Sequence, residues 1–131
     1  MSYINKSKTD VWSTPPDLLQ ALKEEFGELY DPCPVCEDFR MFDALGSSWA
    51  EKNFINPPYS EWAKWVKKGY EESLKGKLCI FLLPVRTDTQ AFHDYIIDQA
   101  EIRFLKGRLK FGGGKQPAPF PSMLVIYRGR Y

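Results

Sequence analysis

Leu18, Leu19, Leu22 and Phe26 recur at three- and four-residue spacing with polar residues between them, which predicts an amphipathic helix. Thr14 as cap, Pro15 at the first helical position and Asp17 completing a capping box mark its start, and Gly27 its end. Glu28 to Pro32 reads as a short strand stopped by proline, and Lys52 to Asn56 as another, stopped by Pro57 and Pro58. Ser60 caps a second expected helix with Trp62, Trp65, Val66, Tyr70 and Leu74 inward and Gly76 at its end. Leu78 to Leu83 is a continuous apolar run, the pattern of a strand covered on both faces. Thr87 or Asp88 caps a third helix carrying Phe92, Tyr95, Ile96 and Ala100. Ile102 to Leu105 and Met123 to Tyr127 are the last strands, joined by a glycine- and proline-rich loop or hairpin from Lys106 to Pro121.

Strands alternating with helices imply an α/β fold with parallel neighbours, about five strands and helices on the faces. The last two strands have no helix between them and should close the sheet as an antiparallel hairpin at one edge. In such sheets ligands bind beyond the carboxyl ends of the strands. Asp31-Pro32 and Asn56-Pro57-Pro58-Tyr59 stand at two strand ends and should open on one crevice.

A chain of 131 residues fits one compact domain, 1–131, with 1–10 a loose N-terminal segment. Its 44% apolar content excludes a disordered chain. No apolar run reaches the ~18–20 residues of a membrane span, and the first ten residues carry no secretory h-region. Three cysteines argue against a disulfide scaffold and for a reducing, cytoplasmic compartment. The net charge of +1 hides an asymmetry. Seven basic residues and no acid lie between Ile102 and Tyr131, while nine acids face only Lys23 and Arg40 between Asp10 and Asp43. The basic third suggests contact with a polyanion; scattered solvated charge is the plainer alternative.

Asn56-Pro57-Pro58-Tyr59 carries the chemistry. The exocyclic amine of a planar ring is a poor nucleophile, because its lone pair is delocalised. Two acceptors that grip its N–H groups push the nitrogen toward tetrahedral geometry and restore the lone pair. The Asn56 side-chain oxygen and the Pro57 carbonyl supply such a pair, and consecutive prolines restrict the backbone that holds the carbonyl. Tyr59 offers a ring on which a base can stack, worth ~1–3 kcal/mol. Placement and electrostatics then do most of the work. The tetrapeptide also suits a plain turn after a strand.

The tetrapeptide matches motif IV of the amino-group DNA methyltransferases, and its surroundings resemble the phage-type Dam family of DNA N6-adenine methyltransferases. The resembling segments are Trp12 to Pro16, Asp31-Pro32-Cys33-Pro34, Asp43-Ala44-Leu45 with Trp49, and Phe54 to Ser60. They continue with Leu83 to Thr89, Phe92-His93, Gly107 to Phe111 and Ala118 to Met123. The resemblance implies a reduced Rossmann-like methyltransferase fold and S-adenosylmethionine as methyl donor. It implies Asn56, Pro57, Pro58 and Tyr59 as the catalytic residues. Trp12, Ser13, Thr14 and Pro15 would hold the methionine end of the donor at a helix N-terminus. Asp31, Pro32 and Cys33 stand where an acid meets the donor's ammonium group, Asp43 is a further polar contact, and Asn56 also touches the donor. DNA is the implied partner, its target base flipped toward Asn56 and Tyr59, with Ser60, Arg86, Lys106, Arg108 and Lys110 as contacts.

The sequence departs from the family pattern at two places. Asp31-Pro32-Cys33-Pro34-Val35-Cys36 replaces the usual glycine-rich turn. Pro34 and Pro57 are only 57 − 34 = 23 positions apart, too few for two extra strand–helix units. Those gaps, with no separate target-recognition domain, suggest a homodimer or an accessory protein. They leave a catalytically silent DNA-binding remnant as an alternative, alongside cytosine N4, RNA or a protein glutamine as substrate. Cys33 and Cys36 with Cys79 and His93 formally make a zinc set, but Cys79 sits in an apolar strand and His93 in a helix, so no metal is expected. His93 is expected to cap or pack, and Trp62 and Trp65 to pack in the core. Strand alternation would put Lys106, Arg108 and Lys110 on one face.

Overall fold

The computed structural model describes residues 13–33, 44–110 and 118–129. Trp12, Cys36 and Asp43 lie outside them.

Helix α1 (Pro16–Phe26) starts one residue later than its sequence signals suggest. Pro15 is the N-cap and no side chain caps the helix, so neither Thr14 nor Asp17 plays the expected capping role. Gly27 ends it at φ 94, a left-handed conformation that glycine adopts without strain. Strand β1 (Lys52–Ile55) pairs parallel with β2 (Leu78–Pro84). Helix α2 (Trp62–Ser73) joins them, entered through a 3₁₀ turn at Tyr59–Glu61. Strand β3 (Glu101–Phe104) pairs antiparallel with β4 (Ser122–Tyr127), as the missing helix between them implies. β4 then inserts antiparallel against β2, giving the order β1-β2-β4-β3.

The expected strand at Glu28 to Pro32 is reduced to a single parallel bridge. Tyr30 N–H donates to the Lys52 carbonyl (2.9 Å) and Phe54 N–H to the Tyr30 carbonyl (2.8 Å). The sheet therefore has four described strands with Tyr30 as a one-residue fifth position, against about five expected.

Period-two alternation divides the core cleanly. Phe54, Ile80, Leu82, Leu124 and Ile126 face α1, where Leu22 is buried and Leu18, Leu19 and Phe26 pack. Ile55, Cys79, Phe81, Leu83, Met123, Val125 and Tyr127 face α2, which lays down Trp62, Trp65 and Val66. The sheet is covered on both faces, as the apolar run of β2 requires. Gly69 lets α2 approach closely, since a Cβ there would fall inside the Phe81 ring. Leu74, expected inward, is exposed, because the helix ends at Ser73 and Leu74 lies past it.

The third helix is shorter than its apolar spacing suggests. A wide π turn covers Phe92–Ile96, with Thr89, not Thr87 or Asp88, accepting the Phe92 N–H through its hydroxyl (3.3 Å). Ile97 is already extended and Asp98 has φ 64, so Ala100 falls outside the helix.

Glu72 ties the segment before β1 to α2 and β2. It is fully buried and accepts the Trp49 N–H (2.7 Å), with Lys77 at 2.6 Å, Lys75 at 2.9 Å and Lys68 at 3.5 Å. Burial alone would push its pKa up. The Lys77 hydrogen bond, the Trp49 N–H and the other two lysines outweigh burial and bring it down to about 2.

Candidate active site

β1, β2 and β3 run in one direction, because β2 and β3 are both antiparallel to β4. Their carboxyl ends therefore share one edge of the sheet with the start of β4. Asn56 leaves β1 there, Arg86 leaves β2, and Lys106 follows β3. The Tyr30 bridge runs parallel to β1 and delivers Asp31, Pro32 and Cys33 to the same edge.

Asn56 is 5% exposed. Its amide nitrogen donates to Thr14 Oγ1 at 3.1 Å, across 42 positions of sequence. That bond fixes the rotation of the amide, with nitrogen toward the Ser13–Pro15 loop and oxygen on the opposite side. It also explains why Thr14 does not cap α1: its hydroxyl is engaged by the site. Pro57 and Pro58 are buried, with Pro58 at φ −58, and they hold the turn that carries the Pro57 carbonyl.

Tyr59 is half-buried, its ring meeting Phe120 at 75° with centroids 5.0 Å apart. Burial pushes its phenol pKa well up, with Arg86 near enough to pull weakly in the other direction. Arg86 is exposed and makes no ion pair among the described residues. Phe120 was not singled out from the sequence. An aromatic between two prolines just before the last strand was the available signal.

Asp31 Oδ1 accepts the Cys33 N–H at 2.8 Å, a turn that aims the segment back toward the core. Although Asp31 is exposed as a residue, partial withdrawal of the carboxyl from water raises its pKa, with the Cys33 N–H opposing. Cys33 is buried. Ser13 is exposed ahead of α1. Pro15 and Pro16 lack N–H groups, so the amides of Asp17 and Leu18 are the open donors of the first turn.

The DNA-contact candidates lie on this edge without forming a strand face. β3 ends at Phe104, and Gly107 turns at φ 71, so Lys106, Arg108 and Lys110 do not alternate on a strand. All three are exposed, while Leu105 before them and Leu109 among them pack in the cluster that also holds Tyr59 and Phe120. Ser60 is exposed within the 3₁₀ turn, and the N-cap position of α2 falls on Glu61 instead. His93 packs against Phe92 with its ring nitrogen 2.8 Å from the Thr87 carbonyl, as expected of a packing residue.

An Asn-Pro-Pro-Tyr turn closing a parallel strand of a mixed α/β sheet places the protein in the Asn-Pro-Pro-Tyr class. The chain belongs to the DNA N-6-adenine-methyltransferase (Dam) family, whose sequence model it matches over residues 1–129. It is 30% identical to the DNA N-6-adenine-methyltransferase of Escherichia phage T1, an alignment covering 76% of this chain and 46% of that protein. The chain thus spans about half the length of that relative. No solved structure matches. Among the described residues no helix is long and apolar enough to cross a membrane.

Proposed function

We propose that the protein transfers a methyl group from S-adenosylmethionine to the N6 amino group of adenine in DNA, within a single reduced Rossmann-like methyltransferase domain. The observation that carries this reading is the Asn56–Thr14 bond, which joins the Asn-Pro-Pro-Tyr turn to the loop expected to hold the donor.

The residues present suit such a donor. Asp31 offers a carboxylate to an ammonium group, the Asp17 and Leu18 amides offer N–H groups to a carboxylate, and Cys33 gives a small buried wall. Asn56 is joined to the Ser13–Pro15 loop through Thr14 and precedes Tyr59 by three residues. When bound, S-adenosylmethionine supplies an electrophilic methyl on a sulfonium.

Asn56 Oδ1 and the Pro57 carbonyl accept the two N–H groups of the target amine and draw its nitrogen out of the ring plane. Thr14 holds the oxygen of Asn56 on that side. Tyr59, braced by Phe120, stacks on the base that has left the duplex. The amine sheds its proton only after it has gained the methyl, so no side chain has to act as base beforehand. Arg86 is exposed beside Tyr59 and suits a phosphate of the flipped nucleotide. A second copy or an accessory protein would supply target selection, and the protein would work in the cytoplasm of the host cell.

The test is transfer of a radiolabelled methyl group from the donor to DNA. Wild type labels DNA, whereas Asn56→Ala and Tyr59→Ala, with unchanged circular dichroism, do not. Full labelling by both variants would overturn the assignment.

A further inference from the structure

Phe104 is the most exposed of the large apolar side chains among the described residues, at 65%. It is the last residue of β3, the edge strand. In register, Phe104 pairs with Met123, and Met123 with Leu83. Ile55 pairs with Phe81, so carrying the β1 register on by two positions brings Pro57 into the same row. Phe104 therefore lies level with the Asn-Pro-Pro-Tyr turn, three strand spacings away, about 14 Å.

Three exposed cations follow it at once: Lys106, Arg108 and Lys110. None makes an ion pair among the described residues. Leu105 stays on the sheet through its N–H to the Ser122 carbonyl (3.1 Å), and Leu109 O accepts the Ala118 N–H (2.7 Å). The cations are thus carried on a backbone tied down at two points. The rest of the edge strand is capped by charge: Arg103 pairs with Glu25 and Glu101, and Arg128 with Glu101. An unshielded ring beside unpaired cations has a recognised partner chemistry. The ring supplies a stacking face and the cations meet phosphates.

We infer that Phe104 is a nucleic-acid stacking residue, against which a base flanking the target is held while Lys106, Arg108 and Lys110 track the backbone toward Asn56. The inference rests on DNA being the substrate and adds a second aromatic contact to that of Tyr59. Phe104 lies on the α2 side of the sheet and Tyr59 packs on the α1 side, so the two rings would grip a strand laid across the edge at separate points.

Phe104 is exposed, so its replacement leaves the core intact. The experiment measures fluorescence anisotropy of a fluorescein-labelled single strand of mixed sequence, and of its duplex, across a salt series. Phe104→Ala should bind the single strand about 5- to 150-fold more weakly, the range for loss of one stacked base, with its salt slope unchanged. Phe104→Trp should restore binding, and Phe104→Leu, apolar but without a π face, should not. The triple Ala variant of Lys106, Arg108 and Lys110 should instead lower the salt slope, by about 0.7 per lost phosphate contact on a single strand. Equal affinity of wild type and Phe104→Ala, or full recovery with Leu, would overturn the inference and leave the DNA reading standing. A change of sedimentation in Phe104→Ala with DNA affinity untouched would mark the ring as a protein contact and overturn it likewise. Absence of any DNA binding by the wild type would overturn both.

Discussion

At the scale of single residues, two buried asparagines three positions apart do different work. Asn53 is spent on structure: its amide brackets Ala50, accepting that N–H at 3.0 Å and donating to its carbonyl at 2.7 Å, and also reaches the Leu78 carbonyl at 3.1 Å. Asn56 reaches instead to Thr14, in the segment ahead of α1. Composition does not separate these roles; the prolines after Asn56 did, because they stop the strand where a ligand can approach. Thr14 looks like a plain helix cap for a simple reason. A threonine before proline at a helix start is an ordinary cap, and only the fold brings Asn56 near enough to compete for its hydroxyl. If Thr14 orients Asn56, Thr14→Val should lower kcat by about 10- to 100-fold with the KM for DNA little changed, and Thr14→Ser should recover most of it. Steady-state kinetics on DNA checks this; an unchanged kcat for Thr14→Val would remove Thr14 from the site.

Single elements show what sequence patterns capture and what they omit. β2 and β4 were legible because both faces are covered, so their apolar runs have no competing period. The strand expected at Tyr30 shortens to a bridge, because one apolar-aromatic pair before a proline leaves no ladder to extend. The third helix had the right apolar spacing but stops early, since Asp98 takes a left-handed conformation that Asp tolerates. Close approach of α2 to β2 was invisible, because it depends on which residue lies beneath Gly69. Gly69→Ala should cost about 1–3 kcal/mol through forced displacement of Phe81, read from chemical denaturation; an unchanged midpoint would contradict the packing. Glu72 also gave no signal, being one acid among several in a helix. Its pKa is depressed in the folded protein, from 4.5 to about 2. Its contribution is therefore present above about pH 4.5 and is lost as pH falls toward 2. Glu72→Gln should be destabilised by on the order of 3 kcal/mol at pH 7, with the gap to wild type closing by pH 2. Denaturant melts at several pH values test this, and a pH-independent gap would exclude the ionised clasp.

On the scale of the whole molecule, direction of chain matters more than sequence distance. Asp31, Asn56, Arg86 and Lys106 are scattered over 75 positions by subtraction, 106 − 31, yet they meet at one edge because the Tyr30 bridge, β1, β2 and β3 all run the same way. The sequence made that edge foreseeable for Asp31 and Asn56 through strand–helix alternation. The insertion of β4 between β2 and β3 was not foreseeable; with β4 antiparallel to both neighbours, β3 still runs with β1 and β2, so the basic segment after it starts at the same edge. Of the cations after Ile102, Lys106, Arg108 and Lys110 thereby become a local feature of this edge, while Arg103 and Arg128 pair with Glu25 and Glu101. The most direct test of the account is mass analysis of nucleosides released from mixed DNA and RNA after incubation of the full chain with S-adenosylmethionine. The account predicts N6-methyladenine in the DNA fraction with wild type and none with Asn56→Ala. Methylated cytosine or methylated RNA in its place, or no methylated nucleoside at all, would contradict it.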